Sequence, residues 1–322
     1  MNYKLPSAAT IGFFDGVHCG HQYLINEVKR LAQARGLKSM VITFDQHPRQ
    51  VLQADYVPQL LTTTQDKVRL LRAQGVDRVE VLHFTPQMAS LSAQQFMQQV
   101  LKEQLGVRLL LIGYDHRFGH NRAEGFEQYV QYGREMGIDV VQNTAYTSPD
   151  GIRVSSSVVR RLLAEGAVAL AARCLGRPYQ LQGTVAHGFA EGRKMGFPTA
   201  NLDVSGQPLL IPARGVYAVR VGFGDEACSR PAMLNIGQRP TFGGLLTTIE
   251  AHVFHFNADV YGQPMRVAFV DRLRQEQRFD SVEALERQLA DDQRAALLVL
   301  GGEVKPLPRA ACAASPSPYG GE

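Results

Sequence analysis

The sequence predicts an α/β domain built on a parallel sheet, followed by a small antiparallel β-barrel and a terminal helix. Three observations lead there. In the first half, short apolar runs alternate with segments of helical spacing. Near Leu175-Gly176-Arg177-Pro178 that spacing stops, and alternating stretches separated by glycine and proline take over. The chain has 322 residues, 45% apolar and 20% charged, enough for two globular domains at one per about 150 residues.

Each element has its own reason. Ala8–Phe14 is a short apolar run. His18–Arg35 carries Leu24, Val28, Leu31 and Ala32 at helical spacing. Ser39–Phe44 reads as a strand, Asp66–Gln74 as a helix, Arg78–Phe84 as a strand and Ala93–Leu105 as a helix. Arg108–Gly113 and Ile138–Gln142 are strand-like around a helical Gly125–Met136. Buried strands alternating with amphipathic helices imply right-handed crossovers, a doubly wound sheet, and ligands beyond the strands' carboxyl ends. In the second half Gly215–Val221, Ile249–Phe256 and Met265–Val270 alternate as half-buried antiparallel strands do, and Ser281–Leu298 is helical. The tail from Pro306, PLPRAACAASPSPYGGE, is poor in groups that could form a core and is expected to be disordered.

Bulk properties narrow the function. The net charge of +4 is dispersed and suits an anionic small molecule at least as well as a nucleic acid, settling neither; no basic aromatic motif calls for nucleic acid. The four cysteines form no close pair, which fits reduced thiols and a cytoplasmic location. No signal peptide is expected from MNYKLPSAATIGFFDG, and no apolar run is long enough for a membrane span.

The first chemical motif is Gly12-Phe13-Phe14-Asp15-Gly16-Val17-His18-Cys19-Gly20-His21. Two histidines three apart at a helix start share a face. Gly20 permits close backbone approach, and the helix N-terminus favours a phosphate. Alone, the pair reads first as a capped turn with surface histidines; zinc is disfavoured, because helical ligand pairs usually come four apart. Ser155, Ser156, Ser157 and Arg160, at the start of a helical Val158–Leu163, form a second anion-binding pattern, though serine caps are common for structural reasons.

Taken together, GFFDGVHCGH, FDQHP (Phe44–Pro48), GYDHRFGHNRAEG (Gly113–Gly125) and SSSVVR resemble the FMN adenylyltransferase half of the bacterial bifunctional riboflavin kinase/FAD synthetase family. The resemblance implies a Rossmann-like nucleotidyltransferase domain over residues 1–178 that makes FAD from FMN and ATP. It implies that His18 and His21 face the triphosphate and that Gly12, Phe13, Gly16 and Gly20 line the ATP site. Ser155, Ser156, Ser157 and Arg160 would hold its β- and γ-phosphates, with Arg160 and the histidines catalytic, and Asp115 would help position the flavin or nucleotide. Asp45 and His116 depart from the family's usual glutamate and phenylalanine. The attacking FMN phosphate is already anionic, so positioning and charge stabilisation replace a general base.

The second half offers Gly188, Gly192, Arg193 and Gly196 in a glycine-rich stretch, then Phe197-Pro198-Thr199-Ala200-Asn201. The glycines alone fit β-turns between strands. Thr199 and Asn201 present hard oxygen ligands suited to Mg²⁺. Glu250 sits mid-strand among apolar neighbours, costly unless paired or functional. GFPTAN, NIGQRPTF and the Glu250–His252 strand resemble the riboflavin kinase module of the same family. By that resemblance residues 179–305 form the kinase domain, Thr199 and Asn201 bind Mg·ATP with the glycine loop, Glu250 is the base, and Arg274 and Glu276 lie near the flavin. His255 and Asn257 depart from the family pattern. The implied substrates are riboflavin, FMN and ATP, with no nucleic-acid or membrane partner. One rival is a single-activity adenylyltransferase, which a kinase assay separates; another is a cytidylyltransferase or other HxGH enzyme, which leaves the barrel unexplained; a third is a flavin- or nucleic-acid-binding regulator, which predicts nucleotide binding without turnover.

Overall fold

The computed structural model describes residues 5–53, 55–114, 116–120, 123–187, 196–241 and 244–301, with backbone alone at 239–241 and 244–245. The chain divides between Ser156 and Ser157 into two compact units. The tail expected after Pro306 lies outside the described residues.

In the first unit a five-stranded parallel sheet has the order β3-β2-β1-β4-β5. Its strands are β1 (Ser7–Ile11), β2 (Lys38–Phe44), β3 (Arg78–Leu82), β4 (Val107–Ile112) and β5 (Asp139–Gln142). Register is fixed by pairs such as Ala9 with Met40 and Thr10 with Leu111. Helices cover both faces, which is why the central strands β1, β2 and β4 are buried almost throughout, while the edge strands β3 and β5 are not. Ala8, Val41, Leu109 and Leu111 pack with Leu24, Val28 and Ala32 of α1 (Cys19–Ala34) and Leu71 of α3 (Thr64–Arg72). On the other face Ile11, Met40, Ile42 and Leu110 meet α5 (Ala93–Phe96), the π-type segment that continues it (Met97–Gln104), and α6 (Phe126–Met136). The single helix expected over Ala93–Leu105 therefore changes its hydrogen-bond pattern after Phe96. Two further helices, α2 (Pro48–Leu52) and α4 (Pro86–Ser90), are five residues each, start on proline and are too short to show a period.

The second unit carries most of α7 (Ser156–Ala164), then α8 (Val168–Leu175), six strands and α9 (Val282–Gly301). The strands are β6 (Tyr179–Ala186), β7 (Ala200–Asp203), β8 (Gly215–Phe223), β9 (Arg230–Thr241), β10 (Gly244–Val253) and β11 (Pro264–Arg274). They close into an antiparallel barrel in the order β10-β7-β6-β11-β8-β9, so no edge remains exposed. Tyr179, Tyr217 and Phe269 fill its interior, with their rings in contact. Tyr179 satisfies its buried hydroxyl by donating to the carbonyl of Leu210 at 2.7 Å. Ala296 and Leu300 of α9 pack over Ala218 and Met233. The strand expected over Ile249–Phe256 ends at Val253, because His255 takes a positive φ of 53° and turns the chain.

Candidate active sites

β1 and β4 are neighbours in the sheet although β2 and β3 separate them in sequence, so their carboxyl ends flank the switch point. The histidine motif leaves β1 there, as the sequence predicts. Phe14 (φ 55°) and Val17 (φ 40°) both adopt left-handed backbone, which costs a non-glycine residue about 1 kcal/mol or more. Gly16 takes φ 78° without that strain. Asp15, which the sequence reading did not single out, holds the turn. Its buried carboxylate accepts the Leu61 N–H at 3.0 Å, the Thr62 N–H at 3.1 Å and the Thr62 hydroxyl at 3.3 Å.

His18 is buried and caps α1: its Nδ1 accepts the backbone N–H of His21 at 3.3 Å. In the neutral ring that bond leaves the proton on Nε2, the nitrogen able to donate outward. The His18 and His21 rings stack at 3.6 Å, 17° from parallel, and Phe14 meets His21 edge-on at 5.1 Å. At Gly20 a β-carbon would lie 3.2 Å from the His18 ring and 3.3 Å from the Val154 carbonyl oxygen. Glycine there admits the histidine ring and the chain before α7, a role additional to ligand access. The Ser156 hydroxyl donates to the Asp15 carbonyl at 3.0 Å, tying the serine tract to this turn. Ser155 is half-buried, Ser157 is exposed, and Arg160 shares a face of α7 with Ser156. The Phe13 ring is met edge-on by His47 at 4.8 Å, and by the Lys67 ammonium at 3.8 Å; Gly12 continues the sheet by donating to the Ile42 carbonyl. Asp115 lies outside the described residues, and the departing His116 ring is 6.2 Å from Phe118.

In the barrel unit a cavity of about 300 Å³ brings Thr199, Glu250, Arg274 and Glu276 together with Phe197 and Phe279. Glu250 is half-buried, and register places it opposite Asn201 on β7 and opposite Asn235 on β9. Side chains directly opposite on adjacent strands stand side by side, so the carboxylate has an amide neighbour on each flank. Asn235 is a site residue that NIGQRPTF contained but the sequence reading did not weigh. A larger cavity of about 600 Å³ lies beyond Glu276, lined by Arg214, Gln238, Thr247 and Arg272; Glu276 belongs to both. Gly196 is exposed with φ 80°, while Gly188, Gly192 and Arg193 lie outside the described residues. His255 and Asn257 are exposed beyond the end of β10.

Arg274 is delivered by a register shift at the end of β11, a device that re-aims a side chain beside a site. Its Nε and Nη2 donate to Asp292 at 2.8 and 2.7 Å. Asp292 is 3% exposed and also accepts from Gln288. Arg274 therefore lines the cavity while clamping β11 to α9, a structural duty the sequence did not reveal. Removing one partner of a buried pair leaves the other uncompensated. Asp292→Ala is expected to lower the stability of the barrel unit by about 3 kcal/mol, read as an earlier urea transition by circular dichroism.

Among the described residues no helix is long and apolar enough to cross a membrane, and no group of three or more His, Cys, Asp or Glu could hold a metal.

Comparisons with known proteins match both halves of the chain. A family model for FAD synthetase matches residues 2–158, and one for riboflavin kinase matches residues 175–300. The chain is 38% identical over 285 residues to the bifunctional riboflavin kinase/FMN adenylyltransferase of Escherichia coli (strain K12), covering 88% of this chain and 90% of that protein. It is 34% identical over 299 residues to the protein of the same description from Bacillus subtilis (strain 168), covering 91% and 92%. A crystal structure described as a macrolide-efflux protein from Streptococcus pneumoniae aligns with a TM-score of 0.81 and 32% identity, over 90% of this chain and 94% of that one.

Proposed function

The chain belongs to the bifunctional riboflavin kinase/FMN adenylyltransferase family, and from that premise we propose how its residues divide the work. It is an enzyme of flavin cofactor biosynthesis with both activities. The kinase moves the γ-phosphoryl group of ATP to the 5′-hydroxyl of riboflavin, releasing ADP. The adenylyltransferase joins the phosphate of FMN to the α-phosphorus of a second ATP, releasing pyrophosphate.

Glu250 is the kinase base. Riboflavin's hydroxyl is neutral and a weak nucleophile, so a carboxylate that orients it and accepts its proton lowers the barrier. The observation that carries this reading is Glu250's place in the cavity, flanked in register by Asn201 and Asn235. Thr199 and Asn201, with the glycine stretch through Gly188, Gly192, Arg193 and Gly196, bind the nucleotide. Their hydroxyl and amide oxygens are the hard donors that fit Mg²⁺, which takes few protein ligands when phosphates supply the rest. Bound with ATP, Mg²⁺ supplies charge neutralisation at the phosphates. Glu276 and Arg274 border the flavin, Arg274 through its clamp on Asp292.

In the first unit His18 and His21 donate to the α-phosphate as its negative charge grows, and no residue needs to take a proton from FMN. The backbone of Gly12, Phe13, Gly16 and Gly20 admits the triphosphate, Ser155, Ser156, Ser157 and Arg160 hold its outer phosphates, and Asp115 orients the flavin. Residues 1–178 serve adenylyl transfer and 179–305 phosphorylation, and the enzyme works in the cytoplasm. Incubation of the purified chain with riboflavin, ATP and Mg²⁺, with flavins separated over time, is expected to show FMN rising before FAD. FAD appearing without any FMN stage would contradict two successive sites.

A further inference from the structure

Lys67 is among the largest fully buried side chains, at 1% exposure, although it is a lysine on an otherwise amphipathic helix. Its ammonium donates to the Phe44 carbonyl at 2.7 Å and sits 3.8 Å from the centre of the Phe13 ring. Phe44 ends β2, and Phe13 begins the turn that leaves β1. The cation thus bridges the carboxyl ends of the two strands next to the switch point. Residues just ahead of its helix, Leu61 and Thr62, grip Asp15 of the same turn. The α3 segment therefore holds the 12–17 turn at two points, one of them a buried charge.

A methionine would fill this space without the desolvation that a buried ammonium suffers, so packing alone does not account for the charge. The turn it holds contains two non-glycine residues in left-handed backbone, and such strain persists only where the surroundings over-determine it. We infer that Lys67 is a positioning residue for adenylyl transfer: its ammonium, held between Phe13 and Phe44, fixes the strained 12–17 turn so that the backbone and His18 and His21 meet the nucleotide. The inference rests on the reading of that turn as the adenylyl-transfer site.

The charge has a pH range. Burial pushes the Lys67 ammonium down to about 8, opposed by the carboxylates of Asp15 and Asp45, the charged groups facing it from the turn and from the end of β2. As pH rises through about 8 the cation is lost and the clamp weakens.

The test is FAD synthesis from supplied FMN by full-length Lys67→Met and Lys67→Arg, from pH 6.5 to 9.5, with His21→Ala in parallel and kinase activity as the control for an intact chain. Lys67→Met is expected to lower kcat at pH 7 by about tenfold or more, with KM for ATP changed less than threefold, and to leave the kinase unaffected. Lys67→Arg, whose charge persists at high pH, is expected to keep its kcat above pH 8 where the parent enzyme declines. A folded Lys67→Met with kcat within twofold of the parent would overturn the inference. So would a Lys67→Arg profile that falls in parallel with the parent, a criterion that stands even if Lys67→Met does not fold. If His21→Ala loses activity while both Lys67 variants behave as the parent, only the Lys67 inference fails. If His21→Ala is unaffected, the reading of the turn itself fails.

Discussion

Glu250→Gln is expected to stop FMN formation, with a loss of about 10³-fold, while FAD formation from supplied FMN proceeds at the parent rate. The substitution keeps the shape of the side chain and its flanking amides, Asn201 and Asn235, and removes the negative charge and with it the capacity to accept a proton. General-base catalysis is worth about 10²- to 10⁴-fold, and a neutral alcohol gains all of it. Adenylyl transfer gains none, because FMN brings an oxyanion already formed. The check is a pair of assays on one preparation: riboflavin to FMN, and FMN to FAD. Equal damage to both would remove the distinction between the sites.

His21→Ala is expected to lower FAD synthesis by about 10²-fold or more, the scale of losing one donor to a developing oxyanion. Alanine suits a helix interior, so α1 survives. His18 loses the ring stacked on it at 3.6 Å but keeps the bond from the residue-21 N–H that orients it. The kinase should be untouched. Steady-state kcat for FAD from FMN, beside kcat for FMN from riboflavin, measures the split; an unchanged first value would take His21 out of the mechanism.

The α/β unit was legible because a sheet covered on both faces writes itself as contiguous apolar runs: Met40 to Phe44 and Leu109 to Ile112 are buried without interruption. The barrel was legible only in part. β10 alternates from Ile249 to Val253, whereas β8, expected to be half-buried, is buried at eight of its nine positions because the barrel lies on one side of it and helix packing on the other, and β6, β7 and β9 carry glycine, proline or polar residues. The histidine turn and the Glu250 strand stood out as candidates in the sequence, the first by its glycines and paired histidines at a helix start, the second by a carboxylate among apolar neighbours. The residues that support them did not. Lys67 looks like an ordinary helix lysine, yet it stands four before buried Leu71; its place on the apolar stripe was the available signal. Asp292 carries the same signal, four before buried Ala296 and eight before Leu300. Asp15 was hidden because its partners, Leu61 and Thr62, are remote in sequence.

Mixing the two crippled proteins tests the division of labour most directly. Glu250→Gln alone should make FAD from riboflavin only at about a thousandth of the parent rate, and His21→Ala alone should accumulate FMN. Combined in one tube with riboflavin, ATP and Mg²⁺, they should make FAD, because FMN released by the second protein feeds the intact adenylyl-transfer site of the first. A mixture that makes no FAD, from a Glu250→Gln protein that converts added FMN, would contradict two sites of separate chemistry.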